Sequence, residues 1–371
     1  MVRQASGFFC YPLLSLTFNF AARLFYLPRN LVLCSINMFT LPPKAKKVIN
    51  YVVGPLLFCW LVYSITLQIR QQQNLAHSRE VIWEAFSWKH AGTWLSVCGL
   101  MLLNWGVESY KWRLLVSGLE KISYLRAVRA VFTGQALAFS TINRLGESAG
   151  RSLFLSAGNR IRGAVLSVAG SMSQLLVTVI AGWLALLYIV GFHPEISLFS
   201  GANAATFERV GIFFITGVAI LLLFIYYHPA AMVGVLEKIP WVKQFDFFLE
   251  KLAALPAAGL TRILLLSALR FVIYTAQYLL LFQLFGVTLN WLTGAALVSL
   301  MMLLLALVPT IALAELGFRG QISLRLFALV SANYAGIMAT AAGIWVINLI
   351  IPALAGSLLV LGIRIFTKKK R

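Results

Sequence analysis

The chain has 371 residues, of which 60% are hydrophobic and only 11% charged, with a mean hydropathy of +0.86. Soluble domains carry roughly 25% charged and 45–50% apolar residues, so this composition excludes an ordinary soluble enzyme. The formal charge of +20 comes from 31 Lys and Arg against 11 Asp and Glu; at such hydropathy it belongs to loops facing anionic lipid and excludes nucleic-acid binding.

Residues 1–43 form an N-terminal extension in which apolar pieces around Leu13 and Leu31 are broken by Arg23, Pro28 and Arg29 and followed by Pro42 and Pro43. No piece spans comfortably, and the pattern lacks the clean apolar run of a signal peptide. A start-site artefact explains it as well, with Met38 as a true start just before the basic cluster Lys44, Lys46 and Lys47. The hydropathy pattern then predicts crossings at 48–69, 93–113, 164–190, 209–228, 261–286, 290–312, 324–342 and 343–363, since roughly 20 apolar residues cross the hydrocarbon core. The expected fold is therefore all-α, a polytopic bundle of about 8 transmembrane helices. The basic cluster before the first span and the basic tail 366–371, with Lys368 to Arg371, place both termini on the cytoplasmic side of a plasma membrane.

The loops agree in part. From Lys111 to Arg162 there are nine basic residues and two acidic ones, whereas Gly191 to Glu208 carries Glu195 and Glu208 with no Lys or Arg. Arg70, Arg79 and Lys89 fall on the predicted outer side, partly offset by Glu80 and Glu84. Between Tyr226 and Arg262 charged residues alternate with Trp241, Phe245, Phe247 and Phe248, a pattern for either an interfacial amphipathic helix or a loop helix packed on the bundle.

Charges within membrane-embedded segments are costly unless paired or hydrated, so they nominate functional interiors. The first cluster follows a short apolar stretch, Val131 to Thr141, and comprises Asn143, Arg144, Gly146, Glu147, Gly150 and Arg151. On a helix Arg144, Glu147 and Arg151 share one face. An apolar hairpin ending in such a cluster predicts a re-entrant segment near 131–158, tolerated where protein or a water-filled cavity lines it. An interfacial helix with internally bonded charges is the bland alternative.

The second cluster is Pro309, Glu315, Gly317, Arg319, Gly320 and Arg325. Glu315 and Arg319 stand in the favourable Glu-to-Arg order, and the proline and glycines predict a broken helix near 309–325. A kink with a satisfied ion pair explains the same residues. Two further features are Glu108 with Lys111 one turn on, which fits a pair at the membrane boundary, and Arg270, which either snorkels to the interface or faces a cavity.

Guanidinium groups bind phosphate bidentately at any physiological pH. Arg144, Arg151, Arg270 and Arg319, opposed by Glu147 and Glu315, are therefore the expected substrate-binding set, with Gly146, Pro309 and Gly317 in structural roles. The partner this chemistry implies is a membrane phospholipid or polyprenyl-linked lipid whose tail stays in the bilayer. Enzyme chemistry has little to stand on. Asp246 is the single aspartate, and His77, His90, His193 and His228 stand alone, without HExxH or histidine–carboxylate spacing. Cys10, Cys34, Cys59 and Cys98 form no metal-ligand spacing. No cofactor is expected.

At the two clusters the chain resembles the transmembrane flippase-like domain of the lysylphosphatidylglycerol synthases, which also occurs alone in prokaryotic inner membranes. The likeness covers about residues 44–365 and rests on Asn143-Arg144-Leu145-Gly146-Glu147 followed by Arg151, and on Pro309 followed by Glu315-Leu316-Gly317-Phe318-Arg319. Ile142 and Asn143 stand where Pro-Gly is usual, and Gly320 where a glutamate is common. The resemblance implies lipid translocation, with aminoacylated phosphatidylglycerol as the cargo in the fused synthases. The soluble aminoacyl-transfer domain is not expected, since the chain stops at Arg371. The expectation is a translocase of phospholipid or lipid-linked phosphate. The alternative is a non-transporting accessory subunit of a membrane glycosyltransferase or lipid synthase.

Overall fold

The structure, a computed structural model, describes residues 84–139, 141, 144–193, 195, 196, 198, 204–229, 255–308 and 312–361. All of them fall in one compact unit, 53–363. The N-terminal extension, the expected span at 48–69, most of the 226–262 connector, Asn143, Pro309 and the basic tail lie outside the described residues.

Among the described residues the first long helix, α1 (Ala91–Val116), follows a 3-10 turn at Trp88–His90. After a short turn come α2 (Tyr124–Phe139) and α3 (Leu145–Ser152), a helical hairpin. Then follow α4 (Arg160–Phe192) and α5 (Ala204–Tyr227). The second part contains α6 (Ala257–Leu284), α7 (Trp291–Leu307), α8 (Ala312–Phe327) and α9 (Tyr334–Trp345). A π segment, Val346–Ile350, carries α9 directly into α10 (Ile351–Leu361).

Local chemistry sets the ends. Pro256 stands at the N-cap of α6, where its missing N–H costs nothing. At the other end Gly286 takes φ +69°, and the bonds Gly286 N–H to Gln283 O and Val287 N–H to Phe282 O close a left-handed helix stop. Asn290 caps α7 by accepting from Leu292 N–H at 2.9 Å, and Asn333 caps α9 by accepting from Gly336 N–H at 2.9 Å.

Among the described residues four helical stretches are long and apolar enough to cross a membrane: 157–192, 205–227, 257–284 and 334–359. This corrects the expectation of about 8 crossings. α1 is 26 residues long, but its polar residues toward the bundle dilute its apolarity. The expected span at 290–312 is a 17-residue helix, α7, too short to cross comfortably before the chain turns into α8. The expected spans 324–342 and 343–363 are not two crossings. The end of α8 and a capped turn precede one continuous helix from Tyr334, because Ala341-Ala342-Gly343 does not interrupt helical hydrogen bonding, whereas the Asn333 cap does mark a start.

The packing pairs helices from the two parts of the chain. α1 and α6 run antiparallel, held by Gln277 Nε2–H to Val97 O at 2.9 Å, Arg270 Nε–H to Asn104 Oδ1 at 2.8 Å and Lys111 Nζ–H to Ser267 Oγ at 3.2 Å. α2 lies against α10, where Gly356 meets Phe132 and Ala136; α7 lies against α4, where Gly182 meets Leu303. Thus α1, the α2–α3 hairpin and α4 form one half, and α6, the α7–α8 hairpin and α9–α10 the other.

The halves run in opposite directions. The turn after α1 meets the turn after α3, through Ser156 N–H to Glu120 Oε2 at 2.9 Å. The turn after α8 meets the end of α6, where Asn333 Nδ2–H bonds Phe285 O and Gly286 O, each at 3.0 Å. The first hairpin therefore enters from the side of the α1 C-terminus and the second from the side of the α6 C-terminus. At 1.5 Å per residue, arms of 16 and 17 residues reach about 25 Å, short of the ~30 Å hydrocarbon core.

Candidate functional site

One face of α1 presents Asn104, Glu108 and Lys111, successive turns of a helix, to the interior. Glu108 and Lys111 are buried, to 3% and 1% exposure. Both lie inside the bundle because α4 and α6 pack over this turn of α1. Lys111 sits 2.9 Å from Glu108 Oε2 and also donates to Gly170 O and Ser267 Oγ.

Glu108 is the hub of the first half. Arg151 Nη1 approaches its Oε1 at 2.6 Å, and Arg270 Nη1 bonds its Oε2, so one carboxylate gathers three cations from α1, α3 and α6. Arg151 also pairs with Glu147 one turn earlier. Each guanidinium packs on an aromatic ring, Arg151 over Trp112 at 5.8 Å and Arg270 over Trp105 at 5.9 Å, contacts that gain strength when desolvated.

The hairpin tip holds Arg144. It precedes α3 with φ +59°, the left-handed region that only glycine adopts without strain. Its Nε lies 3.3 Å from Glu147 Oε2, and its Nη2–H donates to Gln135 Oε1. The turn is tight because α2 and α3 touch through glycine. A Cβ on Gly146 would stand 2.4 Å from Leu137 O, and one on Gly134 2.7 Å from Glu147 O. Gly146 thus allows the close approach of α2 and α3. At Gly317, by contrast, α8 runs through without a break, and a Cβ would meet nothing within 4 Å.

The second half repeats the arrangement with different chemistry. Arg319 pairs with Glu315 one turn before it on α8, as Arg151 pairs with Glu147 on α3. Where Arg151 reaches a glutamate on α1, Arg319 reaches two tyrosines on α6, Tyr274 at 3.0 Å and Tyr278. Arg319 is 4% exposed.

These residues line a single cavity of about 510 Å³. Arg144, Glu147, Arg151, Arg270, Glu315 and Arg319, named from the sequence, all reach it, and Glu108 and Lys111 join them. Its lining therefore holds five cations against three carboxylates. Arg151 and Arg319 each keep a buried Nε–H with no acceptor among the described residues. Much of the remaining wall is apolar, from Leu175 on α4, Phe271 on α6 and Met302, Leu305 and Ala306 on α7. The π segment contributes Asn348, which donates to Gln277 Oε1 at 3.2 Å and leaves its own Oδ1 unpartnered; such segments collect at functional sites.

Sequence reasoning missed Asn104, Gln174, Tyr274, Tyr278 and Asn348. The available signal was spacing, since Arg270, Tyr274 and Tyr278 repeat every fourth residue, as do Asn104 and Glu108. Among the described residues no group of three or more His, Cys, Asp or Glu is placed to hold a metal ion.

The arrangement is that of a multi-pass helical bundle with buried arginine–glutamate pairs around a polar cavity. Compared with known proteins, the chain matches no family model and no curated protein, so the membrane-spanning helical type stands while nothing ties the chain to the lysylphosphatidylglycerol synthase domain.

Proposed function

We propose that the protein is a translocase that moves lipids with a phosphate headgroup between the leaflets of a prokaryotic plasma membrane, with both termini cytoplasmic. One observation carries this reading: charged residues from both hairpins line one cavity in which cations outnumber carboxylates and which also has apolar wall. A fully neutralised set of ion pairs would serve architecture; an excess of guanidinium groups attracts a phosphate. Exposed basic residues are more numerous at the end that carries Lys121, Arg126, Arg129 and Arg262 than at the other, with Lys89, Arg209 and Arg325, which supports the first end as cytoplasmic. The lining groups bind and position a headgroup; the reading assigns them no covalent step.

A second reading has its own support. Glu108 is enclosed by three cations, the kind of closed network that holds helices together in an accessory subunit of a membrane enzyme.

Reconstitution separates the two. In vesicles carrying leaflet-labelled phospholipid, the wild-type chain is expected to equilibrate label between leaflets. Removing Arg319 alone would strand Glu315, and breaking a buried pair costs about 3–5 kcal/mol, so the informative variant is Arg319→Gln with Glu315→Gln. That folded double variant is expected to lose about tenfold or more in rate, as removal of charge-assisted phosphate contacts implies. Unchanged movement in the folded variant removes the proposed role of the second cluster. A wild-type chain that folds but moves no lipid favours the accessory reading.

A further inference from the structure

The cavity's charge balance points beyond phosphate in general to one class of headgroup. Resting on the translocase reading above, we propose that the cavity selects a lipid ending in a dianionic phosphomonoester over phosphodiester and zwitterionic lipids.

The argument begins with the lining charges. Arg144, Arg151, Arg270, Arg319 and Lys111 face Glu108, Glu147 and Glu315, an excess of two positive charges. A phosphomonoester carries about −1.5 to −2 at neutral pH and offers three strong acceptor oxygens. A phosphodiester brings one negative charge and two such oxygens, leaving part of the cavity's charge uncompensated in a low-dielectric setting where that is costly.

Donor placement agrees. Arg151 and Arg319, more than nine-tenths buried, reach the cavity from opposite hairpins. Guanidinium groups from two sides suit a terminal group with three acceptor oxygens better than a bridged one with a substituent on each side.

The carboxylates argue against cationic headgroups. Glu108, Glu147 and Glu315 each already pair with at least one Arg or Lys. An ammonium group, as in a zwitterionic or aminoacylated lipid, would meet guanidinium groups rather than a free carboxylate. The tail has a place of its own. Leu175, Phe271, Met302, Leu305 and Ala306 give the cavity an apolar stretch of wall, against which the chain of a lipid held by its phosphate at the charged residues can lie. A free phosphate ion shares the headgroup chemistry but has no use for that wall.

The test uses the full chain in vesicles with four cargoes: labelled phosphatidate and a polyprenyl monophosphate as monoesters, phosphatidylglycerol as a diester, and phosphatidylcholine as a zwitterion, with uptake of radiolabelled inorganic phosphate measured in parallel. The expected result is that both monoesters change leaflet at least about tenfold faster than phosphatidylglycerol, the scale of losing one charge-assisted contact, with no phosphate accumulating. Arg144, whose side chain is 40% exposed at the hairpin tip, tunes the balance with little load on folding. Arg144→Gln reduces the charge excess to one and is expected to bring monoester and diester rates within about threefold, while Arg144→Lys keeps the selectivity, because charge rather than shape sets it. Equal rates for monoester and diester in the wild type overturn the selectivity and leave the translocase reading standing. Movement of no lipid at all overturns the translocase reading itself. Phosphate uptake without lipid movement overturns the lipid cargo and assigns the cavity to the free ion. Unaltered selectivity in Arg144→Gln overturns the charge-balance mechanism.

Discussion

Arg144 joins two demands in one residue. Its backbone takes φ +59° at the tip of the first hairpin, and its guanidinium faces the cavity beside Glu147. A non-glycine residue in that conformation costs about 1–2 kcal/mol, retained at functional positions because the side chain is needed there. The two contributions separate by substitution. Arg144→Gly and Arg144→Gln both remove the charge, but only glycine removes the strain, so Arg144→Gly is expected to be the more stable by about 1 kcal/mol in thermal or denaturant unfolding in detergent. Equal stability would mean that the tip relaxes without cost. Arg144, Glu147, Arg151, Glu315 and Arg319 were legible in the sequence because a charge inside an apolar stretch is conspicuous. Their partners were not. Tyr274 and Tyr278 read as apolar until a buried arginine donates to them, and Glu108 with Lys111 reads as an interfacial pair until α4 and α6 are seen to cover it.

Elements meet closely where glycine allows it, and these contacts, rather than apolarity, fix the hairpins. Gly356 on α10 lies so near α2 that an added Cβ would stand 1.9 Å from Phe132 O, a backbone atom that cannot swing aside. Gly317 on α8 has nothing within 4 Å of such a Cβ. The same substitution therefore has opposite effects at the two sites. Gly356→Ala is expected to destabilise the protein by about 1–3 kcal/mol through overpacking, whereas Gly317→Ala is neutral or stabilising by up to about 1 kcal/mol through helix propensity. Unfolding midpoints in one detergent decide it, and equal shifts would contradict the α2–α10 packing. Hydropathy located these helices but could not count crossings. An apolar window has the same score whether the chain continues, as from Trp345 through the π segment into α10, or doubles back, as between α7 and α8. What separates the two cases is a cap, a tight glycine contact or a short arm, and none of these enters a hydropathy average.

At the scale of the whole molecule, the two halves place one hairpin on each side of the bundle, and their charged helices meet at a shared cavity. Each hairpin is shorter than the ~30 Å hydrocarbon core is thick, and charged residues of both line the cavity. This topology makes a prediction that counting apolar spans does not. In the structure, the turn after α8 lies beside the end of α6, joined by Asn333 to Phe285 and Gly286, so Leu329 and Trp291 share a side. With eight sequential crossings Leu329 would instead lie within a span begun on the opposite side. Both residues are exposed, at 46% and 53%, and so are Lys121 and Gly158 on the turns at the other end. Single cysteines at these four positions, in a cysteine-free background, report the topology directly. In sealed vesicles of one orientation, a membrane-impermeant maleimide is expected to label Leu329→Cys together with Trp291→Cys, and Lys121→Cys together with Gly158→Cys only after the vesicles are opened or inverted. If Leu329→Cys instead labels with the Lys121 group, α8 crosses rather than returns. The second charged cluster would then be delivered from the same side as the first, and the opposed hairpins from which the cavity is built would not exist.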